Sequence, residues 1–439
     1  MEPGTIAIIS IGGLAILLAG GMHIGFAMAL AGLGGTMMLL PPEAALSLFG
    51  LTVFETALSF EFIIIPLFVL MGQFATAGGL SQDLYKAFNV WLGNLPGGLG
   101  LATIGACGAF AAICGSSLAT AAAMSKVALP EMQRYKYDSR LATGSIAAGG
   151  TLGILIPPSV IMVLYGILTE TNVADLFIAG IIPGILLVLF FMITIWLLAT
   201  LKPNLGPRGP KSNFKEKLKA CGRVWGTLLL FIIVLGGIYT GIFTPTEAAG
   251  IGAFGALGLA LFAGKMNKDS FIQALLDSVD TTAMVFTILI GAIVFKNLIA
   301  LLRFPEMIEN WMLALSLSPM GVLVLILIIY IFLGAILDTM AMILLTLPVF
   351  FPIISGLGFD PIWFGVLMVI VIELALITPP MGINVFVIKG MTPNVSLGEI
   401  YIGVIPFVIA QIILLILIVL VPDLALWLPE TSASFGASK

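Results

Sequence analysis

A cluster of three hydroxyl side chains interrupts the long apolar stretch of residues 98–130. Ser116, Ser117 and Thr120 lie within five residues of one another and directly follow a glycine. Hydroxyl and backbone carbonyl oxygens are the ligands that hard cations such as Na⁺ prefer. A serine in an apolar helix, however, often bonds only the carbonyl of the preceding turn. The cluster as a whole predicts a cation site, and the structural alternative stays open for each serine taken alone.

A second polar break, Asp338-Thr339, lies at the centre of the apolar stretch of residues 319–352. It stands 222 positions after the two serines of the first break. A carboxylate at membrane depth costs several kcal/mol unless it is paired or faces water, and a sodium ion is a natural partner for Asp338. Glu373, which also lies within an apolar stretch, is the second acidic candidate.

Two Pro-Pro pairs, at 157–158 and 379–380, break two further apolar stretches at the same offset of 222 residues. Proline lacks a backbone N–H and pushes the residue before it out of the helical region, so each pair ends one half-helix and lets another begin. Freed carbonyls suit a hard cation, and a half-helix N-terminus suits a carboxylate. One isolated pair would favour a simple kink, whereas two pairs at equivalent positions favour a binding site.

The four breaks together predict a sodium site and a substrate site, and no catalytic residue. The predicted Na⁺ ligands are Ser116, Ser117, Gly150, Thr151, Pro157, Asp338, Thr339, Thr378, Met381 and Gly382. The predicted substrate contacts are Ser116, Ser117, Thr120, Thr339, Pro158, Pro380 and Asn384. Ser116 and Ser117 should form one ion site with the backbone of 149–157, and Asp338-Thr339 should form its counterpart with 378–382.

The composition places these breaks in a membrane protein. Of the 439 residues, 60% are hydrophobic and 9% are charged, whereas a soluble domain carries about 25% charged residues. We therefore predict an all-α polytopic membrane protein. The net charge of −4 gives no reason to expect a nucleic-acid partner. The three cysteines imply no disulfide framework, and a signal peptide is not expected because Glu2 replaces the usual basic start.

A bilayer core needs about 20 apolar residues per helix. Ten spans are predicted, at 5–22, 24–40, 62–78, 140–169, 174–200, 224–242, 246–264, 280–302, 361–389 and 400–421. The stretches 98–130 and 319–352 are too long for one span and carry a central polar break, so we expect re-entrant hairpins. The spans at 140–169 and 361–389 contain the Pro-Pro pairs and are predicted to be broken helices.

Basic residues orient this scheme. The loop 202–223 carries seven Lys or Arg residues and is placed in the cytoplasm, which also puts most other basic residues there and both termini in the periplasm. The first hairpin then enters from the cytoplasm and the second from the periplasm. Residues 1–222 and 223–439 are thus predicted to be inverted repeats, the pattern of secondary transporters with alternating access. A duplication without functional symmetry is the alternative.

A division into two bodies follows from where the breaks lie. The spans at 5–40 and 224–264 have no break and are predicted to form a scaffold. The segments 62–78, 98–169, 280–302 and 320–389 are predicted to form a transport domain. Two amphipathic pieces, Ser81–Leu95 and Phe304–Leu317, suit helices in the interface plane that brace one body against the other. An ordinary interfacial connector is an equally good interpretation of both.

Six motifs stand out in the chain, at 115–120 (GSSLAT), 130–132 (PEM), 148–159 (AGGTLGILIPPS), 243–249 (FTPTEAA), 334–348 and 378–382 (TPPMG). They resemble the signature of a known family, the large membrane subunit of tripartite ATP-independent periplasmic (TRAP) transporters. The resemblance covers nearly the whole chain. It implies a sodium-coupled elevator transporter for an organic acid, such as a C4-dicarboxylate, sialic acid or a keto acid, in the bacterial inner membrane. Na⁺ would be the coupling ion, with no cofactor.

The resemblance also implies two partners and a fold. The partners are a small four-helix membrane subunit, expected here as a separate polypeptide, and a periplasmic binding protein that delivers the substrate. The fold is related to that of divalent-anion sodium symporters, with a scaffold and a moving transport domain. A stand-alone sodium/carboxylate symporter of that type is the alternative. An intramembrane protease is disfavoured because His23 lies at a loop and Asp338 has no obvious aspartate partner, and a passive channel needs no inverted broken helices.

Overall fold

The computed structural model describes residues 2–304, 307, 318–334 and 337–436, and the regular elements in them are all helical. The helices of the first half are α1 Pro3–Ala19, α2 Ile24–Leu39, α3 Pro42–Leu58, α4 Ile64–Ala77, α5 Leu80–Leu92, α6 Gly98–Cys114, α7 Ser117–Arg134, α8 Ser139–Leu155, α9 Val160–Thr169 and α10 Val173–Leu201. The helices of the second half are α11 Phe214–Tyr239, α12 Pro245–Phe262, α13 Lys268–Leu301, α14 Pro319–Gly334, α15 Thr339–Gly356, α16 Pro361–Ala375, α17 Ile383–Met391, α18 Leu397–Leu420 and α19 Asp423–Gly436.

Eight helices of the described residues are long and apolar enough to cross a membrane. They are Phe60–Ala77, Ser139–Thr169, Val173–Leu201, Phe214–Tyr239, Pro245–Phe262, Lys268–Leu301, Thr339–Gly356 and Leu397–Leu420. The predicted spans at 5–22 and 24–40 form helices of 17 and 16 residues, which is short of the roughly 20 that a full span requires. The prediction of an all-α polytopic membrane protein is confirmed.

The two predicted hairpins are pairs of packed helices. In the first, α6 and α7 pack against each other and are joined at residues 115–116. In the second, α14 packs against α15. The helix starts in the two halves follow the offset of 222 residues: α7 begins at Ser117 and α15 at Thr339, and α8 begins at Ser139 and α16 at Pro361. The breaks that recur in the sequence at this offset therefore coincide with helix boundaries that recur in the structure.

Both predicted broken helices are interrupted at their proline pairs. The first consists of α8 and α9 and the second of α16 and α17, and the Pro-Pro bond in each gap is cis. Tyr165, near the end of α9, donates a hydrogen bond to the carbonyl of Pro361, the first residue of α16. Asn384, at the start of α17, lies beside Ala147 in α8. The two broken helices therefore lie side by side and run in opposite directions.

The base of the first hairpin is tied to the basic loop. The N–H of Gly97 donates to the carbonyl of Gly206, and the N–H of Asp138 donates to that of Leu205. The Tyr137 hydroxyl accepts a hydrogen bond from the Leu99 N–H at 3.0 Å. Burial raises the pKa of Tyr137 to about 12, so this hydroxyl stays neutral. The hairpin base and the basic loop consequently lie at the same end of the molecule.

Glycines allow two close helix approaches elsewhere. On the α2–α13 pair, a Cβ on Gly291 would overlap the carbonyl oxygen of Gly25, and a Cβ on Gly25 would overlap the backbone of Thr287. On the α4–α12 pair, Gly252 accommodates Met71. These contacts join α4 and α13, which the sequence places in the transport domain, to α12 and α2, which it places in the scaffold.

Three further segments can be compared with the prediction: residues 41–61 and the two amphipathic pieces. Helix α3 lies in a segment, residues 41–61, for which no span is predicted. The amphipathic helix predicted at Ser81–Leu95 is confirmed as α5, Leu80–Leu92. Its predicted counterpart, Phe304–Leu317, lies largely outside the described residues.

Candidate functional site

The tip of the first hairpin is held by its own residues. Gly115 ends α6 with a φ of +61°, a conformation that glycine adopts without strain. Ser116 is the N-cap of α7, and its hydroxyl accepts from the Ala119 N–H at 3.4 Å. The Thr120 hydroxyl donates to the Ser116 carbonyl at 2.8 Å. The Ser117 hydroxyl makes no hydrogen bond among the described residues, which leaves its oxygen available to a ligand.

The first proline break packs directly on this tip. A Cβ added to Gly115 would lie 2.9 Å from the carbonyl oxygen of Pro158. Gly153, in the last turn of α8, touches the Ser116 carbonyl so closely that a Cβ there would displace it. The end of α8 and the residues after it therefore lie in direct contact with the start of α7. The sequence predicts this meeting from the spacing of the breaks.

Asn384 brings the second half of the chain into the same region. A Cβ on Gly150 would lie 3.2 Å from the Asn384 Nδ2, and this Nδ2 lies 3.4 Å from the carbonyl oxygen of Ala147. Asn384 is fully buried, and its Oδ1 has no hydrogen-bond partner in the described part of the chain. A buried amide oxygen without a donor is costly, so it marks a place where a ligand would improve the hydrogen bonding.

The second tip is arranged differently. Asp338 is the N-cap of α15, and its Oδ1 accepts from the Ala341 N–H at 2.7 Å. Its side chain is exposed and Thr339 is half-buried. No hydrogen bond of the described residues links either one to residues 378–382. The carboxylate is therefore not enclosed by other protein groups in this arrangement, and its second oxygen can accept a ligand.

The second proline break is more open than the first. Pro157 and Pro158 are buried, whereas Pro379, Pro380 and Met381 are exposed. Other residues of both breaks use their polar groups locally. The Thr151 hydroxyl donates to Ala148 at 2.7 Å, the Thr378 hydroxyl donates to Ala375 at 3.3 Å, and the Tyr401 hydroxyl lies 2.9 Å from the carbonyls of Pro380 and Met381.

Lys296 makes a contact that the sequence does not reveal. Its Nζ donates to the Leu168 carbonyl at 3.0 Å, at the C-terminal end of α9. A cation there complements the negative end of the half-helix. Lys126 is exposed, and the ion pairs of the described residues are Arg140–Asp138 and Lys265–Asp83, so neither Lys296 nor Lys126 is paired with a described acid.

The first tip, the first break and Asn384 thus gather neutral oxygen atoms from three parts of the chain. These are the free hydroxyl of Ser117, the carbonyls at the end of α8 and the unpaired amide oxygen of Asn384. Neutral oxygen ligands of this kind suit a weakly bound hard cation with an anion beside it. Among the ligands predicted for this half, Thr151 and Thr120 instead point their hydroxyl protons at helix carbonyls.

A family model matches residues 11–424 and describes the DctM component of the tripartite ATP-independent periplasmic transporters. The chain belongs to this family. It is a transporter permease of the TRAP class, as the motifs at the breaks predict, and not an enzyme. The match spans both hairpins and both broken helices.

Relatives agree on the family and differ in the substrate that their names give. The chain is 39% identical to the C4-dicarboxylate TRAP transporter large permease protein DctM of Pseudomonas aeruginosa, over 91% of this chain and 93% of that protein. It is 31% identical to the sialic acid large permease SiaM of Vibrio cholerae, over 96% and 97%. It is 34% identical to the isethionate permease DctMQ of Oleidesulfovibrio alaskensis, over 84% of this chain and 58% of that protein.

One solved structure shares the fold. The YdaH transporter of Alcanivorax borkumensis, described as having an unusual topology, superimposes with a TM-score of 0.65 over 88% of this chain and 90% of that one. The sequence identity is 16%, so the likeness concerns the fold alone.

Proposed function

We propose that this TRAP permease is the sodium-coupled membrane subunit of an importer for a small organic acid. The observation that carries the proposal is the packing of the first hairpin tip on the first proline break, with the unpaired Asn384 oxygen from the other half of the chain beside it. Na⁺ would bind at Ser117 and the carbonyls of α8. The carboxylate of the substrate would lie against the half-helix N-termini and the Asn384 side chain.

Contacts at the two ends of the first broken helix support an inverted repeat. The base of the first hairpin contacts the basic loop near the start of α8. A cavity of about 220 Å³ near the end of α9 is lined by Leu168 and Glu170 and by Pro348 and Pro352 of the second hairpin. The two hairpins therefore approach one broken helix from opposite ends. This arrangement is what entry from opposite membrane faces requires.

Location and partners complete the proposal. The seven basic residues of loop 202–223 support a cytoplasmic location for this end, in a bacterial inner membrane with both termini periplasmic. A small membrane subunit and a periplasmic binding protein are the proposed partners. The DctMQ relative is longer than this chain, which covers 58% of it, and this is consistent with a large and a small part joined in one polypeptide. Family membership disfavours the stand-alone carboxylate symporter.

The packing also favours a revised boundary between the two bodies. Because α4 and α13 are closely packed on α12 and α2 through small residues, we place them with the scaffold of the proposed elevator. The transport domain then consists of the hairpins α6–α7 and α14–α15, the two broken helices and the helices α10 and α18 that pack on them.

Sodium binding itself tests the proposal without knowledge of the substrate. In purified protein, NaCl should raise the melting temperature relative to choline chloride at equal ionic strength. Ser117→Ala should shift the half-maximal Na⁺ concentration upward about tenfold, since a lost ligand contact of about 1.4 kcal/mol corresponds to that factor. Thr339→Ala should weaken Na⁺ binding at the predicted counterpart site, Asp338-Thr339, in the same way.

Thr103→Ala is the matched control. Thr103 is fully buried in the same hairpin, but its hydroxyl donates to the Leu99 carbonyl at 2.8 Å and points away from the tip. Its removal should leave the Na⁺ titration unchanged. If neither Ser117→Ala nor Thr339→Ala altered the sodium dependence of correctly inserted protein, the proposed ion sites would be wrong. The melting temperature of the partner binding protein, measured with a panel of organic acids, would identify the substrate.

A further inference from the structure

Glu373 is a fully buried carboxyl that the proposed ion sites do not use. It lies in the last turn of α16, immediately before the second proline break, and its exposed fraction is 0%. Helices α8 and α18 pack on α16. The backbone of Leu155, the last residue of α8, lies near the carboxyl. Glu373 therefore lies in the interior between the two breaks.

No cation among the described residues neutralises Glu373. The titratable groups on the helices that pack against α16 are Arg140, Tyr165, Asp175, Tyr330, Glu399, Tyr401, Asp423 and Glu430. Arg140, the only cation of this set, forms its ion pair with Asp138. The hydroxyls of Tyr165 and Tyr330 bond to Pro361 and Thr346. An ionised carboxylate at such a position costs several kcal/mol.

The nearest polar side chain is the amide of Gln411 in α18. Its Nε2 donates to the Ile370 carbonyl at 3.0 Å and lies 3.5 Å from the Glu373 Oε2. The other oxygen of each side chain, Glu373 Oε1 and Gln411 Oε1, is buried and has no partner in the described part of the chain. Both of these atoms are acceptors when the carboxyl is ionised. One proton shared between them would satisfy both.

We infer that Glu373 and Gln411 form a proton-binding site in which a neutral carboxylic acid pairs with an amide. The proton resides on Glu373 Oε1 and is donated to Gln411 Oε1, while Gln411 Nε2 donates to Glu373 Oε2. A sodium ion fits this place poorly, because it takes several oxygen ligands and the surrounding side chains of α16, such as Ile370, Ile372 and Leu374, are apolar and buried.

The site has a structural consequence for the second break. The acid–amide pair joins the end of α16 to α18, so it positions the start of the exposed Pro379-Pro380 segment. Loss of the proton at alkaline pH would put a negative charge in apolar surroundings and break this pair. The inference concerns protonation and geometry. It does not rest on the proposed transport function, because neither the carbonyl band nor the melting temperature depends on uptake.

Infrared spectroscopy of the purified full chain in lipid tests the site directly. A protonated carboxylic acid has a carbonyl stretch at a higher frequency than an ionised carboxylate, and Glu373→Gln removes it. We expect this band in the wild-type minus Glu373→Gln difference spectrum at neutral pH, with equal intensity in NaCl and in choline chloride. It should fade only at strongly alkaline pH.

The exchanged variant Glu373→Gln with Gln411→Glu is the matched control, since it rebuilds the same pair with the acid on α18. It should restore the band and keep the melting temperature closer to the wild type than Glu373→Ala does. A missing band at neutral pH, or one that disappears when Na⁺ is added, would overturn the inference. If Glu373→Gln does not fold, wild-type protein with and without isotope-labelled glutamate can be compared in the two salts. A carboxylic-acid band that shifts with the label and is equally strong in both salts would support the inference, and its absence would overturn it.

Discussion

Asn384 is the side chain through which one half of the chain reaches the break of the other. Its amide nitrogen lies near Ala147 and Gly150, and its Oδ1 is buried without a partner. A buried asparagine whose side-chain oxygen has no hydrogen-bond donor destabilises the folded protein unless a ligand supplies that donor. At the residue scale, it is therefore the best candidate for contact with the transported acid or with an ion beside it.

Asn384→Ala should weaken substrate binding by about 1–3 kcal/mol, which raises the substrate concentration for half-maximal uptake about 5- to 150-fold, because a buried polar contact is lost. The same change should raise the thermal stability of the ligand-free protein or leave it unchanged, since the unpaired oxygen is removed. Asn297→Ala is the control. Asn297 donates to the Thr52 hydroxyl at 3.0 Å, away from both breaks. Equal losses of affinity in both variants would contradict a direct role for Asn384.

Residue-scale predictions from the sequence succeed where the signal is local. The proline pairs, Gly115 and the serine caps mark breaks because each changes the backbone at its own position. The Glu373–Gln411 pair carries no such signal, because its members are 38 residues apart and meet only through the packing of α16 on α18. Lys296 likewise cannot be matched to the Leu168 carbonyl, 128 residues away, without the structure.

At the scale of helices, the contact between α2 and α13 depends on missing side chains. Gly25 and Gly291 let the two backbones touch, so a methyl group at either position has no room. Close packing of this type is a common means of helix association in membranes, where apolar side chains gain little by leaving lipid. The pair also joins the N-terminal helices to the longest helix of the described residues, α13 with 34 residues.

Gly291→Ala should destabilise the protein by about 1–3 kcal/mol, the usual cost of overpacking. Gly258→Ala in α12 is the matched control. A Cβ at Gly258 meets nothing within 4 Å, so this change should be neutral or stabilising by up to about 1 kcal/mol from helix propensity. Thermal unfolding of the two variants in the same detergent measures the difference. Equal stability would show that the α2–α13 approach is looser than described.

Two features at the scale of helices need more than hydropathy. Helix α3 contains Glu43 and Glu55 within 17 residues, so the sequence predicts no span there, and α3 is not among the eight helices long and apolar enough to cross a membrane. The predicted boundary between scaffold and transport domain rests on the positions of the breaks. Which body an unbroken helix accompanies depends instead on interhelical contacts such as Gly252 with Met71, and these cannot be seen in one sequence.

At the scale of the whole molecule, the regular elements of the described residues are all helical, and eight of them are long and apolar enough to cross a membrane. Family membership and the described helices therefore lead to a prediction about reconstitution. Liposomes that contain the chain alone should show no sodium-driven uptake at micromolar substrate, whereas the addition of both the small membrane subunit and the binding protein should restore it. Liposomes that contain the chain with only one partner are the controls. Robust uptake by the chain alone would favour the stand-alone symporter.

The last prediction concerns how the site reaches both faces of the membrane. The first tip, the first break and Asn384 are packed so closely that they can change sides only together. Because the predicted ion sites lie on both hairpins, we expect the second hairpin to move with this unit as one rigid body against α12. Spin labels suit this test because Leu118 next to the first tip and Phe254 in α12 are exposed. Cys221 is the exposed native cysteine among the described residues and would be replaced by serine.

Labels at Leu118→Cys and Met340→Cys should keep a nearly constant separation between inward-facing and outward-facing conditions, because both follow the tips of hairpins in the moving body. Labels at Leu118→Cys and Phe254→Cys should change their separation by many ångströms, since the second site belongs to the scaffold. Electron-spin distance measurements in lipid, with and without Na⁺ and substrate, give both values. A large change between the two tips with a constant tip-to-α12 distance would instead indicate rocking of the two halves about the site.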